Sequence, residues 1–154
     1  MSQQELLIKV VSELDKLSIS YFITGSIAST IQGEPRATHD IDLVVNINAR
    51  QVTDLSHVFE MPDYYLDEAA ARDALKKNGM FNLIDTNSGD KIDFWILTND
   101  AFDQSRFKRR TRVNVFNREL FVSVPEDTIL MKLKWAKLSG GSEKQLSDCN
   151  FLLK

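Results

Sequence analysis

The chain has 154 residues, 43% of them hydrophobic, and a formal net charge of −3; that length suits one packed core and is too short for two comfortable ones. So mild a charge exerts no whole-protein pull on nucleic acid or anionic lipid, and any such partner has to be met by a local patch. The single cysteine, Cys149, excludes an internal disulfide framework and a cysteine zinc site, and fits a reducing compartment.

The N-terminal stretch MSQQELLIKVVSELDKL places Leu6, Leu7, Val10, Val11, Leu14 and Leu17 at helical spacing with acids and lysines between them. That pattern predicts an amphipathic helix rather than a signal peptide. No other segment is long and apolar enough to span a bilayer, so a cytoplasmic protein without a membrane partner is expected. A strand follows over about 20–24, and Gly25-Ser26 then opens a short helix of small residues that ends near Gly33. After a loop comes the strand HDIDLVV. Asn48 is placed to cap a helix running to about Glu60, and the Ala-rich stretch from Asp67 to Lys77 predicts another.

The period then changes. MFNLID and KIDFWIL are two strand patterns joined by Thr86-Asn87-Ser88-Gly89-Asp90, a run of turn formers that predicts an antiparallel hairpin. RTRVNVF and ELFVSV repeat the pattern around Asn117-Arg118. Pro125, with Glu126 and Asp127, starts a helix through Lys137, and Gly140-Gly141 separates it from a last one. The expected fold is α+β: a small mixed sheet with helices on one face and an acidic cleft on the other. One domain over 1–154 is expected, with about 126–154 as a C-terminal helical part; the helical pattern still running at Lys154 points to either a truncated end or a small terminal lobe.

Two aspartates interrupt the apolar strand HDIDLVV. Residues two apart on a strand share a face, so Asp40 and Asp42 are expected side by side while Ile41 and Leu43 enter the core opposite. Carboxylates held that close repel unless a cation neutralises them, and hard oxygen donors suit magnesium or manganese. A plain strand end whose acids face water would show the same two letters. Gly25-Ser26 adds weight: a glycine at a strand-to-helix junction lets a phosphate approach the backbone, and a helix N-terminus offers its free N–H groups. An ordinary capped turn is the alternative there. In KIDFWIL, Ile92, Phe94 and Ile96 share one face and leave Asp93 on the other, where it could complete an acidic site and take the proton of an attacking hydroxyl. The alternative for Asp93 is a solvent-facing acid at a hairpin end.

Strand, Gly-Ser, short helix, Asp-x-Asp and a later strand aspartate together resemble the DNA polymerase beta-type nucleotidyltransferase superfamily. The wording TGSIA, R-x-T-x-D-I-D-L, KIDF and VPEDTILMKLKWA is most similar to its small bacterial members, the minimal or abortive-infection-type nucleotidyltransferases. The resemblance spans about residues 20–150. It implies transfer of a nucleoside monophosphate from a nucleoside triphosphate to an acceptor hydroxyl, with Gly25 and Ser26 on the triphosphate and Asp40, Asp42 and Asp93 on Mg2+ or Mn2+. Arg36 and Lys132 are implied to steady the phosphates. RNA, a protein or a small molecule would each serve as acceptor, and the resemblance leaves open a partner protein of a toxin–antitoxin pair. A non-catalytic binding module of the same fold and a metal-dependent nuclease are the competing readings. The run Arg106, Lys108, Arg109, Arg110, Arg112 would either track a nucleic-acid backbone or guard a solvated edge strand. Trp95 and Trp135 are expected in the core, with base stacking at its margin as the other use.

Overall fold

The computed structural model describes residues 3–24, 40–115, 117–124, 126, 127, 129, 130 and 133. Helix α1 (Gln3–Lys16) is the predicted amphipathic one, and Leu6, Leu7, Val10, Val11 and Leu14 are all fully buried. Its end turns at Ser18 (φ 58°) into strand β1 (Ser20–Thr24). Strand β2 (Asp40–Asn46) carries the aspartates. Helix α2 (Ala49–Val58) begins on the predicted cap: Gln51 N–H donates to Asn48 Oδ1 at 2.8 Å, and Asn48 N–H donates back to Gln51 Oε1 at 3.0 Å. This reciprocal pair satisfies two donors that a helix start would otherwise leave open. Strand β3 (Tyr64–Leu66) leads to helix α3 (Glu68–Lys77), capped by Asp67, whose Oδ1 accepts from Ala70 N–H at 3.1 Å.

Strands β4 (Met80–Asp85) and β5 (Lys91–Ile96) form the predicted hairpin, with Gly89 at φ 80° in its turn. Helix α4 (Ala101–Lys108) follows, capped by Asp100, and strands β6 (Thr111–Val115) and β7 (Arg118–Val122) pair antiparallel around Asn117. Residues 126, 127, 129, 130 and 133 are helical, in keeping with a helix starting after Pro125.

The seven strands make one mixed sheet in the order β3-β4-β5-β2-β1-β7-β6. Strand β2 at its centre runs antiparallel to β1 and parallel to β5. Strand periodicity gives this sheet two unlike faces. Ile41, Leu43 and Val45 of β2 and Ile92, Phe94 and Ile96 of β5 look into a core shared with α1, α2 and α3. Asp42, Asp93, Val44 and Phe22 look the other way. At one end that second face is closed as well, because Phe107 of α4 meets the Phe22 ring edge-on at 6.0 Å between centroids. Helices therefore fill one face as expected, and α4 adds partial cover to the other.

Phe94 anchors the first face: it is fully buried and stacks on Phe81 with ring centroids 4.9 Å apart. Phe94→Ala is expected to cost about 3–5 kcal/mol of unfolding free energy, the usual range for emptying a buried aromatic site. Urea melts of the two proteins, with equal slopes, would check it.

Most of the basic run from Arg106 to Arg112 is engaged by neighbouring side chains. Arg106, 4% exposed, lies over the Phe22 ring at 5.1 Å and pairs with Asp103 at 3.2 Å. Burial lowers its guanidinium below the ordinary arginine value, with Asp103 opposing. Arg109 binds the buried Asp127, its Nε donating to Oδ2 at 3.1 Å. Arg110 stacks between Phe107 and Phe121 at 4.1 and 4.6 Å. Of the five, Arg112 sits on β6, the sheet edge, and pairs with Glu119 at 3.7 Å. Four cations engaged with neighbouring side chains make a tie between α4, the sheet and the segment after Pro125. These ties account for Arg106, Arg109 and Arg110 within the fold, and Arg112 lies on an edge strand, as the second reading of this run has it.

Candidate active site

The acids predicted from β2 and β5 meet because these strands are neighbours in parallel register. Asp42 is paired with Asp93, Ile41 with Ile92 and Leu43 with Phe94. Directly paired residues on adjacent strands share a face, so the two carboxylates stand side by side on the face away from the main core. The row continues in both directions: Thr24 of β1 pairs with Asp42, and Asn82 of β4 pairs with Asp93. Thr24, Asp42, Asp93 and Asn82 thus form one polar line across four strands. The next row on the same face is apolar, with Phe22, Val44, Trp95 and Met80 in register.

Asp93 is only 8% exposed. The solvent-facing alternative for this residue is therefore wrong. A carboxylate so buried needs compensation, and Lys91, two residues back on the same strand face, brings its Nζ to 3.6 Å from Asp93 Oδ1. Asp42 is half-buried, and from the apolar row the Trp95 indole N–H donates to its Oδ1 at 3.3 Å. One face of β5, read as Lys91, Asp93 and Trp95, therefore supplies an acid, an ammonium and an indole donor to the same spot. Reading Trp95 as a core aromatic missed this. The signal that could have found it is the two-residue period that puts Trp95 on the face of Asp93 rather than with Phe94.

Asp40 opens β2 with its backbone beside that of Lys91, and its side chain lies outside the described residues. So do Gly25, Ser26, Arg36, Lys132 and Trp135. Among the described residues no cluster of three metal-ligating side chains forms. The donors that are described fit a hard divalent cation: two carboxylates held in register on one face of the sheet.

No protein-family model and no curated protein matches the sequence. Solved structures do match in fold. One is a lincosamide antibiotic adenylyltransferase, LnuA, with lincomycin bound: TM-score 0.66 and 13% identity over 100% of this chain and 98% of that one. A second is ANT(2'')-Ia in complex with adenylyl-2''-tobramycin, at TM-score 0.66 and 15% identity over 99% and 88% of the two chains. A third is a nucleotidyltransferase-like antigenic protein of Paracoccidioides brasiliensis, at TM-score 0.62 and 20% identity over 99% and 76%. The chain shares its α+β fold with these nucleotidyltransferase structures. No helix among the described residues is long and apolar enough to cross a membrane.

Proposed function

We propose that this chain is a metal-dependent nucleotidyltransferase. The observation that carries the reading is the parallel register that sets Asp42 beside Asp93 in a sheet of nucleotidyltransferase fold. The acceptor hydroxyl attacks the α-phosphorus of a nucleoside triphosphate, the bond from that phosphorus to the oxygen bridging to the β-phosphorus breaks, and pyrophosphate leaves. The acceptor proton passes to the Asp93 carboxylate. Asp42, with Asp40 by the spacing of the sequence and Asp93 beside it, would hold Mg2+ or Mn2+, which supplies charge neutralisation at the triphosphate. Gly25 and Ser26 at the strand-to-helix junction, with Arg36 and Lys132, are the proposed triphosphate contacts.

A small hydroxylated molecule is the favoured acceptor, because two neighbours in fold are an adenylyltransferase with lincomycin and an enzyme with an adenylylated tobramycin. RNA ends and a protein side chain are the other acceptors to be offered, and a partner protein of a toxin–antitoxin pair is a separate binding candidate. The direct test is incubation with α-labelled nucleoside triphosphates, magnesium and a panel of aminoglycosides, lincosamides, RNA and cell lysate. Label should move to one acceptor class as pyrophosphate is released, whereas shortened RNA with no transfer would sink the proposal in favour of a nuclease.

Binding alone has its own readout. A ligand that binds only the folded state stabilises it by about 2.7 kcal/mol at a hundredfold excess over Kd, a rise in Tm of roughly 5–10 °C for a protein of this size. Magnesium and nucleoside triphosphate together are expected to produce that rise, and each alone less. An unchanged melting curve at millimolar concentrations of both would count against the reading.

A further inference from the structure

Trp95 occupies an unusual place for a tryptophan on a sheet. Its ring belongs to the apolar row with Val44 and Met80, yet its N–H reaches diagonally into the polar row and meets Asp42 Oδ1 at 3.3 Å. An indole nitrogen can only donate, so this contact always presents a proton to the carboxylate. It therefore favours the orientation of Asp42 in which Oδ1 faces the Trp95 indole. The ring cannot follow Asp42 if that side chain turns, because it is half-buried on a strand paired on both sides.

We infer that Trp95 is a positioning residue for the cation site: its indole N–H orients the Asp42 carboxylate so that a divalent cation meets it in a single, pre-set geometry. The inference rests on the proposed function, in that it takes Asp42 to be a ligand. Hydrogen bonds from outside the ligand set hold a ligating carboxylate in place and make its binding cheaper in entropy. The Lys91 ammonium lies 3.6 Å from Asp93 Oδ1. On this strand face Asp93 receives a charged contact from Lys91 and Asp42 a neutral one from Trp95. Such a neutral donor orients the carboxylate without adding positive charge beside it. A second ammonium at that place would compete with the cation.

The test uses Mn2+ alone, with no nucleotide and no acceptor, so that its readout does not depend on activity. Free Mn2+ is counted by electron paramagnetic resonance as the full-length protein is titrated. Two variants are compared with the parent: Trp95→Phe, and replacement of Trp95 by benzothienylalanine, which keeps the shape of the indole and substitutes sulfur for N–H. Both should weaken Mn2+ binding by roughly 10–100-fold, the usual effect of losing such a supporting hydrogen bond. Bound Mn2+, being paramagnetic and close by, should also quench Trp95 fluorescence in a Trp135→Phe background. A Kd within twofold of the parent in the benzothienylalanine protein would overturn the inference, and so would loss of the fold in both variants, which would make Trp95 a packing residue. If the parent binds Mn2+ and Asp42→Asn abolishes that binding while the Trp95 variants do not alter it, only the role of Trp95 falls. If the parent binds no Mn2+ at all, the cation site itself is refuted.

Discussion

Replacing Asp93 by asparagine should lower nucleotidyl transfer by roughly 10²–10⁴-fold, the range for removal of one acid–base group, while nucleotide affinity changes far less. Asparagine has nearly the shape of aspartate, so the buried position between Asp42 and Asn82 is refilled without a cavity. What disappears is basicity and the charge facing Lys91. If Asp93 takes the acceptor proton, the loss appears in kcat and KM for the triphosphate stays close to the parent value. If Asp93 serves mainly as a metal ligand, affinity and turnover fall together, and excess Mn2+ recovers part of the activity. Normal turnover would remove Asp93 from the reaction altogether. Its burial beside Lys91 would then be a structural ion pair, of the kind whose removal destabilises by leaving the other charge unpaired. A lowered Tm in Asp93→Asn with unaltered transfer would be the mark of that outcome.

The parts of this molecule that could be read in sequence are those whose pattern is local. Helix α1 declares itself through Leu6, Val10 and Leu14, and strand β5 through the alternation of Ile92, Phe94 and Ile96 around Asp93. The caps at Asn48 and Asp67 follow from residue chemistry alone. Helix α4 was not legible, because the residues it buries are Asp103 and Arg106 rather than a stripe of hydrophobics. A charged helix whose inner face is an ion pair looks in sequence like a solvated loop, and its arginines look like a basic patch. Short β3 carried too few residues to show a period. The site was legible in composition but not in assembly: Asp42 and Asp93 each stood out, yet nothing local says that β2 and β5 are neighbours, run parallel, and pair with these two residues in register. Pairing between strands far apart in sequence is settled by the whole packing problem. The Trp95 contact depends on that pairing, so it could be seen only once the strands were placed.

Asp42→Asn is the second large expected effect, and it should separate function from stability in opposite directions. A metal that loses an essential carboxylate forfeits several kcal/mol of transition-state stabilisation, and at 1.36 kcal/mol per decade that is a fall of about 10³-fold or more in transfer. The rise in Tm with magnesium and nucleoside triphosphate should vanish with it. In the absence of metal the same change should leave the fold intact or slightly strengthen it, because like charges directly opposite on neighbouring strands are destabilising, and Asp42 faces Asp93 in that way. Asparagine keeps an oxygen in place to accept the Trp95 N–H, so the supporting contact survives and does not confound the comparison. Paired measurements, transfer rate on one side and metal-free Tm on the other, check both arms. A mutant that loses activity and melts lower would show that Asp42 holds the sheet together. One that keeps its activity would mean that the cation, if any is used, is held elsewhere. An inactive protein at least as stable as its parent is the result that a strand aspartate placed for chemistry, at some expense to packing, should give.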